Sequence, residues 1–204
     1  MFVVIAKNAS TTLKRLVYEL DYPGMDPITD TEEIHDFFGY SQHGKSRVSL
    51  VDGPRYHALG YLRFAVYRDP LERFLSVYYD KVSPRRDKSK PVRKYFSLSS
   101  VIDVDIDTFI DFAQEELVKE DPLHQDEHLR RQSAFYEPSS VDFIVPIEGL
   151  DLFLFEELGI RTRGAFNKSK SNMTTKLNAL QRSRVESIYA QDYVLLQAKN
   201  AYLP

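Results

Sequence analysis

Two segments of this chain share a pattern that limits the folds it can adopt: an apolar run, then a cation, then residues at helical spacing. In the first segment residues 2–6 are apolar and Lys7 follows, whereas in the second residues 64–67 are apolar and Arg68 follows. Short unbroken apolar runs are typical of strands buried on both faces of a parallel sheet. The pattern therefore predicts two strand–loop–helix segments, each with a cation at the end of its strand.

The residues after the first strand form a predicted anion site. A helix is expected to start near Ser10 or Thr11, and the backbone N–H groups of a helix start attract anions. Ser10, Thr11 and Thr12 add hydroxyl donors, and Lys7 adds a charge. The layout is similar to a nucleotide-binding P-loop, although it has no glycine and lacks the Gly-x-x-x-x-Gly-Lys-Ser/Thr pattern. The alternative interpretation is a capped helix beside an incidental lysine.

The second segment contains a strong helix-start signal. Asp69 is a suitable N-cap, Pro70 suits the first turn, and Glu72 completes a pattern like a capping box. The predicted apolar stripe of this helix consists of Leu71, Phe74, Leu75, Tyr78 and Val82. Ser76 lies off that stripe, so Arg68 and Ser76 are candidates to bind a second phosphate together. The alternative is that Arg68 pairs with a neighbouring acid and Ser76 is solvated.

The strands and helices are expected to alternate along the chain. Strands are predicted near residues 2–6, 47–51, 63–67 and 141–147, and helices near 11–20, 70–82, 106–118, 125–135, 149–158 and 174–200. This alternation predicts an α/β fold, with a central, mainly parallel sheet flanked by helices, in a single domain over residues 1–204. Ligands of such sheets bind beyond the carboxyl ends of the strands, where Lys7 and Arg68 are expected.

Two further segments are expected to be irregular. Residues 21–44 are predicted as a long loop that shapes an acceptor pocket. Residues 81–94 are rich in lysine and arginine with interspersed proline and serine, which predicts an exposed loop. That loop is either a solvated connection, or a lid or rim that attracts an anionic acceptor such as an acidic glycan.

Five stretches resemble motifs of the sulfotransferases that use 3′-phosphoadenosine 5′-phosphosulfate (PAPS), especially the carbohydrate sulfotransferases of the uronyl 2-O-, chondroitin and HNK-1 types. Residues 6–12 (Ala-Lys-Asn-Ala-Ser-Thr-Thr) resemble the first motif, and residues 68–78 (Arg-Asp-Pro-Leu-Glu-Arg-Phe-Leu-Ser-Val-Tyr) match the second at every fixed position. Residues 128–133, 141–150 and 167–169 resemble later motifs in family order.

The resemblance implies a P-loop-like sulfotransferase fold and PAPS as the donor. It implies that Lys7 stabilises the departing 5′-phosphate and that Arg68 with Ser76 binds the 3′-phosphate. The full set of residues implied to bind the donor is Lys7, Asn8, Ala9, Ser10, Thr11, Thr12, Arg68, Ser76 and Lys168, with Lys170 as an alternative to Lys168. The family's tryptophan and proline in the third motif are replaced by Leu129 and Arg131.

The general base is expected to be a histidine, because imidazole titrates in the useful range. The five histidines are His35, His43, His57, His124 and His128. His43 is the first choice, since residues 43–45 (His-Gly-Lys) resemble the His-Gly-His of the uronyl 2-O- enzymes. His128, in the third motif, is the alternative as base or acceptor contact, and Glu32 and Glu33 are acidic candidates.

Composition narrows the remaining possibilities. The chain has no cysteine, which excludes disulfides, Cys-based metal sites and a thiol nucleophile. Its net charge of −3 gives no overall attraction to nucleic acid. A cytoplasmic, bacterial enzyme without a membrane span or metal is expected, acting on a hydroxyl-bearing acceptor, most simply a glycan. A P-loop-type kinase or nucleotide hydrolase and a non-catalytic PAPS-binding protein are the alternatives.

Overall fold

A parallel sheet forms the centre of the first of two units into which the chain divides. The computed structural model describes residues 2–3, 5–39, 60, 62–83, 104–161 and 177–198. Unit 1 comprises Met1–Tyr67, Tyr136–Asn167 and Ala201–Pro204, and unit 2 comprises Arg68–Phe135 and Lys168–Asn200. The predicted strand near residues 47–51 lies outside the described residues, and the prediction of a single domain stays a prediction.

The sheet of unit 1 contains three described strands. They are β1 (Phe2–Val3), β2 (Phe64–Tyr67) and β3 (Phe143–Pro146), in the order β1-β2-β3 with both pairs parallel. The central strand β2 is buried along its whole length, as its unbroken apolar sequence requires. The predicted α/β fold with a parallel sheet is therefore confirmed, although β1 is shorter than the predicted 2–6.

The described helices match most of the predicted ones. They are α1 (Ser10–Asp21), α2 (Thr31–Gly39), α3 (Pro70–Lys81), α4 (Ile106–Leu117), α5 (Leu150–Leu158), α6 (Ala179–Ile188) and α7 (Ala190–Ala198). In the part of the chain that the structure describes, no helix has both the length and the apolarity needed to cross a membrane.

Helices α1 and α5 pack on the sheet of unit 1. Leu13 of α1 and Phe153 of α5 share one buried cluster with Val66 of β2 and Val145 of β3. These apolar contacts hold the loop between β1 and α1 at the carboxyl end of β1. The candidate anion site is thus attached to a buried apolar cluster of unit 1.

Helix α2 corrects the prediction of an irregular segment over residues 21–44. Asp30 caps the helix, because its Oδ1 accepts a hydrogen bond from Glu33 N at 2.8 Å. Ile34 and Phe38 then form a buried cluster with Tyr18 of α1. The acidic cap and the apolar spacing were visible in the sequence, but the prolines and glycine before them favoured a loop.

Unit 2 is a helical layer around a separate apolar core. Phe74 of α3, Phe109 of α4 and Val185 of α6 are all buried in it. The prediction of a single helix over residues 174–200 is wrong within its described part. The helix is interrupted at Tyr189, which lies between α6 and α7. Helix α6 begins after Asn178, which forms a capping box with Gln181.

The helix predicted over residues 125–135 is also wrong. Asp126 Oδ1 accepts a hydrogen bond from His128 N, and only a short 3-10 turn forms, at Gln132–Ala134. The backbone N–H groups of Gln132 and Ser133 donate to Asp192 of α7 instead of to carbonyls one turn earlier. Side-chain acceptors have therefore replaced the helical hydrogen bonds.

Candidate functional site

The loop between β1 and α1 has an unusual backbone. Lys7 and Ala9 both have positive φ angles, of 69° and 57°, and neither is glycine. A left-handed conformation of this kind is unfavourable for a residue with a Cβ atom and concentrates at functional sites. Alternation of right- and left-handed residues turns successive N–H groups toward one point, which forms a concave anion site.

The start of α1 adds further donors to this loop. Its N-cap residue is Ala9, and alanine has no polar side chain with which to cap the helix. The chain supplies no acidic residue in the first turn either. The helix start therefore keeps its positive character, which favours an external anion.

Asn8 anchors the loop to the sheet. Its side chain is 2% exposed, and its Nδ2 donates to the carbonyl of Val66 at 2.8 Å. Asn8 lies between the two left-handed residues Lys7 and Ala9, so this bond fixes the turn that they form against β2. Lys7 and Asn8–Thr12, which the sequence predicted as donor-binding residues, thus form one continuous loop and helix start in unit 1.

A histidine that the sequence did not single out contacts this region. His35 of α2 lies between two side chains of α1, with its Nε2 3.0 Å from Thr11 Oγ1 and its Nδ1 2.9 Å from Lys14 Nζ. Lys14 is only 7% exposed. The helical spacing of Thr11 and Lys14 placed both on one face of α1, but no local pattern indicated that His35 would reach them.

In unit 2 the main chain of Arg68 is held by the side-chain amide of Gln132. Arg68 N donates to Gln132 Oε1 at 3.1 Å, and Gln132 Nε2 donates to the Arg68 carbonyl at 2.8 Å. Gln132 is fully buried, whereas Arg68 and the two bonds themselves are partly buried. Arg68, which directly follows the last residue of β2, therefore has a fixed backbone.

Gln132 is itself held by Asp192. The buried carboxylate of Asp192 accepts hydrogen bonds from Gln132 N at 2.9 Å and from Ser133 N at 2.8 Å. Near this pair, Tyr189 donates its hydroxyl to the Leu129 carbonyl at 2.9 Å. Burial raises the pKa of Tyr189 well above its usual range, so the hydroxyl stays a donor. Helix α7 thus fixes the third motif, which in turn fixes Arg68.

The second arginine of the second motif, Arg73, has a structural position. It is 1% exposed and donates to the carbonyls of Arg130 at 2.9 Å and Glu127 at 3.3 Å. Burial lowers the pKa of Arg73 from its usual value. Arg73 therefore joins α3 to the third motif and does not serve as a surface cation.

The side chain of Arg68 forms an ion pair with Glu72 of α3. Its Nε lies 3.8 Å from Glu72 Oε2, and the Glu72 side chain is 55% exposed. The Arg68 side chain itself is only 12% exposed. Asp69 does cap α3, as predicted, because it accepts a hydrogen bond from Glu72 N at 2.9 Å. Ser76 is half-buried on the same helix.

His128 forms an acid–imidazole pair with Asp126. The Nδ1 atom of His128 lies 3.2 Å from Asp126 Oδ1. The main chain of Asp126 is held in turn, because its N–H donates to Glu116 Oε1 at 2.7 Å. A carboxylate at Nδ1 selects the tautomer and orients the ring, as an acid does for a catalytic histidine. The first candidate for the base, His43, lies outside the described residues. The candidate donor-binding residues Lys168 and Lys170 also lie outside them.

Asp142, the aspartate that precedes β3, is paired with an arginine. Asp142 pairs with Arg63, at 2.9 Å between Oδ1 and Nη2, and also accepts a hydrogen bond from Arg63 N at 2.8 Å. Both residues precede their strands, because Phe64 and Phe143 are partners in the register of β2 and β3. Asp142 therefore lies at the amino end of the sheet, opposite to the carboxyl end where nucleotides bind.

Comparison with known proteins adds one positive finding. A family model described as the sulfotransferase family matches residues 1–197. No curated protein and no solved structure gives a match. The match covers both candidate phosphate-binding segments and nearly the whole chain.

Proposed function

Since this chain belongs to the sulfotransferase family, we propose that it transfers the sulfuryl group of PAPS to a hydroxyl acceptor. A carbohydrate is the proposed acceptor, because residues 6–12 and 68–78 resemble motifs of carbohydrate sulfotransferases. The observation that most favours this function is the pair of left-handed residues, Lys7 and Ala9, directly before the start of α1. Such a loop is suited to a phosphate group.

Lys7 is the proposed stabiliser of the leaving group. When bound, the donor supplies a sulfuryl group whose departure leaves negative charge on the 5′-phosphate. The Lys7 ammonium, the N–H group of Ala9 and the hydroxyls of Ser10–Thr12 would face that charge, whereas the N–H group of Asn8 donates to the Ile5 carbonyl at 3.2 Å. Donors that are already oriented lower the barrier because they need little reorganisation during the reaction.

Arg68 and Ser76 are the proposed ligands of the 3′-phosphate. A guanidinium can donate two parallel hydrogen bonds to a phosphate, and its geometry is most effective when the residue is held in place. The Gln132 amide provides that support through the Arg68 main chain. Lys168, in the later motif, is proposed to contact the nucleotide as well.

A histidine is the proposed general base that removes the proton of the acceptor hydroxyl. His43 is the first candidate by its motif, and His128 is the second. For His128 the Asp126 carboxylate lies at Nδ1 and orients the ring, as an acid does for a catalytic histidine. Substituting each histidine by asparagine separates the candidates, because loss of the base lowers kcat while nucleotide affinity is preserved.

Calorimetry with adenosine 3′,5′-bisphosphate tests the proposed donor sites. Lys7→Met and Arg68→Met should each weaken binding by about tenfold or more, because each removes a charged donor to a phosphate. Arg161→Met in unit 1 and Arg182→Met in unit 2 are matched controls, since each removes a surface cation outside the motifs. Transfer from PAPS to a panel of glycan and aryl hydroxyls then identifies the acceptor class.

The transfer assay separates the sulfotransferase from the two alternative functions. A P-loop kinase or nucleotide hydrolase depends on Mg²⁺ and loses activity in EDTA, whereas sulfuryl transfer with these side chains continues. A non-catalytic PAPS-binding protein would bind the bisphosphate but show no turnover with any acceptor. Absence of bisphosphate binding by the wild-type protein overturns the proposed function.

A further inference from the structure

His35 connects two residues of α1 at the edge of the candidate phosphate loop. Its Nε2 is 3.0 Å from Thr11 Oγ1 and its Nδ1 is 2.9 Å from Lys14 Nζ. Helix α2 carries His35 to this position because Ile34, the preceding residue, is fully buried in the cluster with Tyr18. All of these residues belong to unit 1.

The chemistry of the three side chains sets the direction of the hydrogen bonds. A lysine ammonium has only donors, so His35 Nδ1 must accept from Lys14. A neutral imidazole with an acceptor at Nδ1 carries its hydrogen on Nε2. Nε2–H therefore donates to Thr11 Oγ1, and the bonds run from Lys14 through His35 to Thr11.

This direction determines what the Thr11 hydroxyl can do. Because its oxygen accepts from His35, its own hydrogen must point elsewhere. Thr11 is the second residue of α1, directly after the loop with left-handed Lys7 and Ala9. A hydroxyl in that position can turn its hydrogen toward an anion at the helix start.

We propose that His35 and Lys14 are positioning residues that hold the Thr11 hydroxyl as a hydrogen-bond donor to the 5′-phosphosulfate. The role depends on the proposed function, because it requires a phosphosulfate at this loop. In the absence of His35, the hydroxyl rotates and offers a lone pair to the anion in part of the population. His35 itself is not a catalytic residue in this scheme, since both of its ring nitrogens are engaged with α1.

A double-mutant cycle on kcat/KM for PAPS tests the role. Thr11→Val and His35→Leu should each lower kcat/KM by about tenfold, the loss expected for one hydrogen bond to a charged group. The double variant should fall no further than Thr11→Val, because His35 acts through Thr11. Lys14→Met should resemble His35→Leu. Losses that multiply in the double variant overturn the proposal.

A rescue variant separates positioning from simple support of the fold. In His35→Gln the amide oxygen can accept from Lys14 and the amide nitrogen can donate to Thr11, so activity should be close to wild type. Equal loss in His35→Gln and His35→Leu overturns the proposal, and so does a loss that follows the melting temperature. If His35→Leu folds but abolishes turnover while bisphosphate affinity is unchanged, His35 is a base and the positioning role is wrong.

Ligand choice localises the effect within the donor. The affected variants should bind adenosine 3′,5′-bisphosphate more weakly than wild type but bind adenosine 3′-monophosphate equally well. A wild-type protein that binds no bisphosphate overturns both this role and the proposed function. The positioning role alone is overturned if the wild-type protein binds the bisphosphate and transfers sulfuryl groups, but the fold-losses in kcat/KM multiply in the double variant.

Discussion

The two candidate phosphate-binding segments are constructed differently. In unit 1 the candidate donors lie on a loop with its own unusual backbone, where Lys7 and Ala9 adopt left-handed conformations and Asn8 ties the turn to β2. In unit 2 the candidate donor is a side chain, Arg68, on a backbone that Gln132 holds with two hydrogen bonds. One segment depends on local backbone geometry, and the other depends on contacts made far along the chain.

The difference indicates how each segment should respond to substitution. A loop held by its own backbone should tolerate changes in distant residues but should be sensitive to changes within the turn. A side chain held by a buried network should be sensitive to residues such as Gln132 and Asp192, which need not touch the nucleotide at all. Changes at Lys7, Arg73, Gln132 and Ala9 therefore test the comparison, in order of decreasing effect.

Lys7→Met should produce the largest effect. Removing a donor to the charge that develops on the leaving phosphate is expected to lower kcat by about 10²–10³-fold. Single-turnover measurement with saturating PAPS gives this value directly, and the free energy of unfolding should change little. Arg161→Met serves as the control in the same unit. A kcat close to wild type in Lys7→Met would remove Lys7 from the leaving-group role.

Arg73→Met should destabilise the protein without directly removing a phosphate ligand. The substitution leaves the carbonyls of Arg130 and Glu127 without this buried donor, at an expected cost of about 3 kcal/mol in the free energy of unfolding. Urea denaturation followed by circular dichroism measures the change. The exposed Arg182→Met should stay within about 0.5 kcal/mol of wild type. If Arg73→Met is as stable as Arg182→Met, the third motif does not depend on this contact.

Gln132→Ala should weaken the 3′-phosphate site through the Arg68 main chain. Affinity for adenosine 3′,5′-bisphosphate is expected to fall by about tenfold, since the two hydrogen bonds that hold the Arg68 main chain are lost. Affinity for adenosine 5′-monophosphate should be unchanged, because that ligand lacks the 3′-phosphate. Gln191→Ala, at an exposed position of α7, is the matched control. An equal loss for both nucleotides would show that Gln132 supports the fold in general.

The local parts of both segments were predictable from the sequence. Asp69 and Pro70 predicted the start of α3 within one residue, because an N-cap and its proline act over a few positions. The short apolar run of β2 likewise predicted a buried strand. These signals depend on backbone chemistry that neighbouring residues determine.

The supporting contacts were not predictable in the same way. Gln132 and Asp192 are separated by 60 residues, and their hydrogen bond replaced the helix that the local pattern favoured. The contact of His35 with Thr11 and Lys14 also depends on how α2 packs on α1. Left-handed backbone at Ala9 had no sequence signal, because alanine does not mark a turn as glycine or asparagine does.

Ala9→Gly should have the smallest effect and the most direct bearing on the loop. Glycine adopts the left-handed conformation without strain and is a better N-cap than alanine, but it raises the entropy of the unfolded chain. The net result should be a gain in unfolding free energy of up to about 1 kcal/mol. Ala113→Gly, inside α4 and fully buried, should instead lose about 1 kcal/mol. The two measurements by urea denaturation should therefore differ in sign. A loss of stability in Ala9→Gly would mean that the loop is not strained. Side-chain contacts would then hold the loop of unit 1, just as Gln132 holds Arg68 in unit 2.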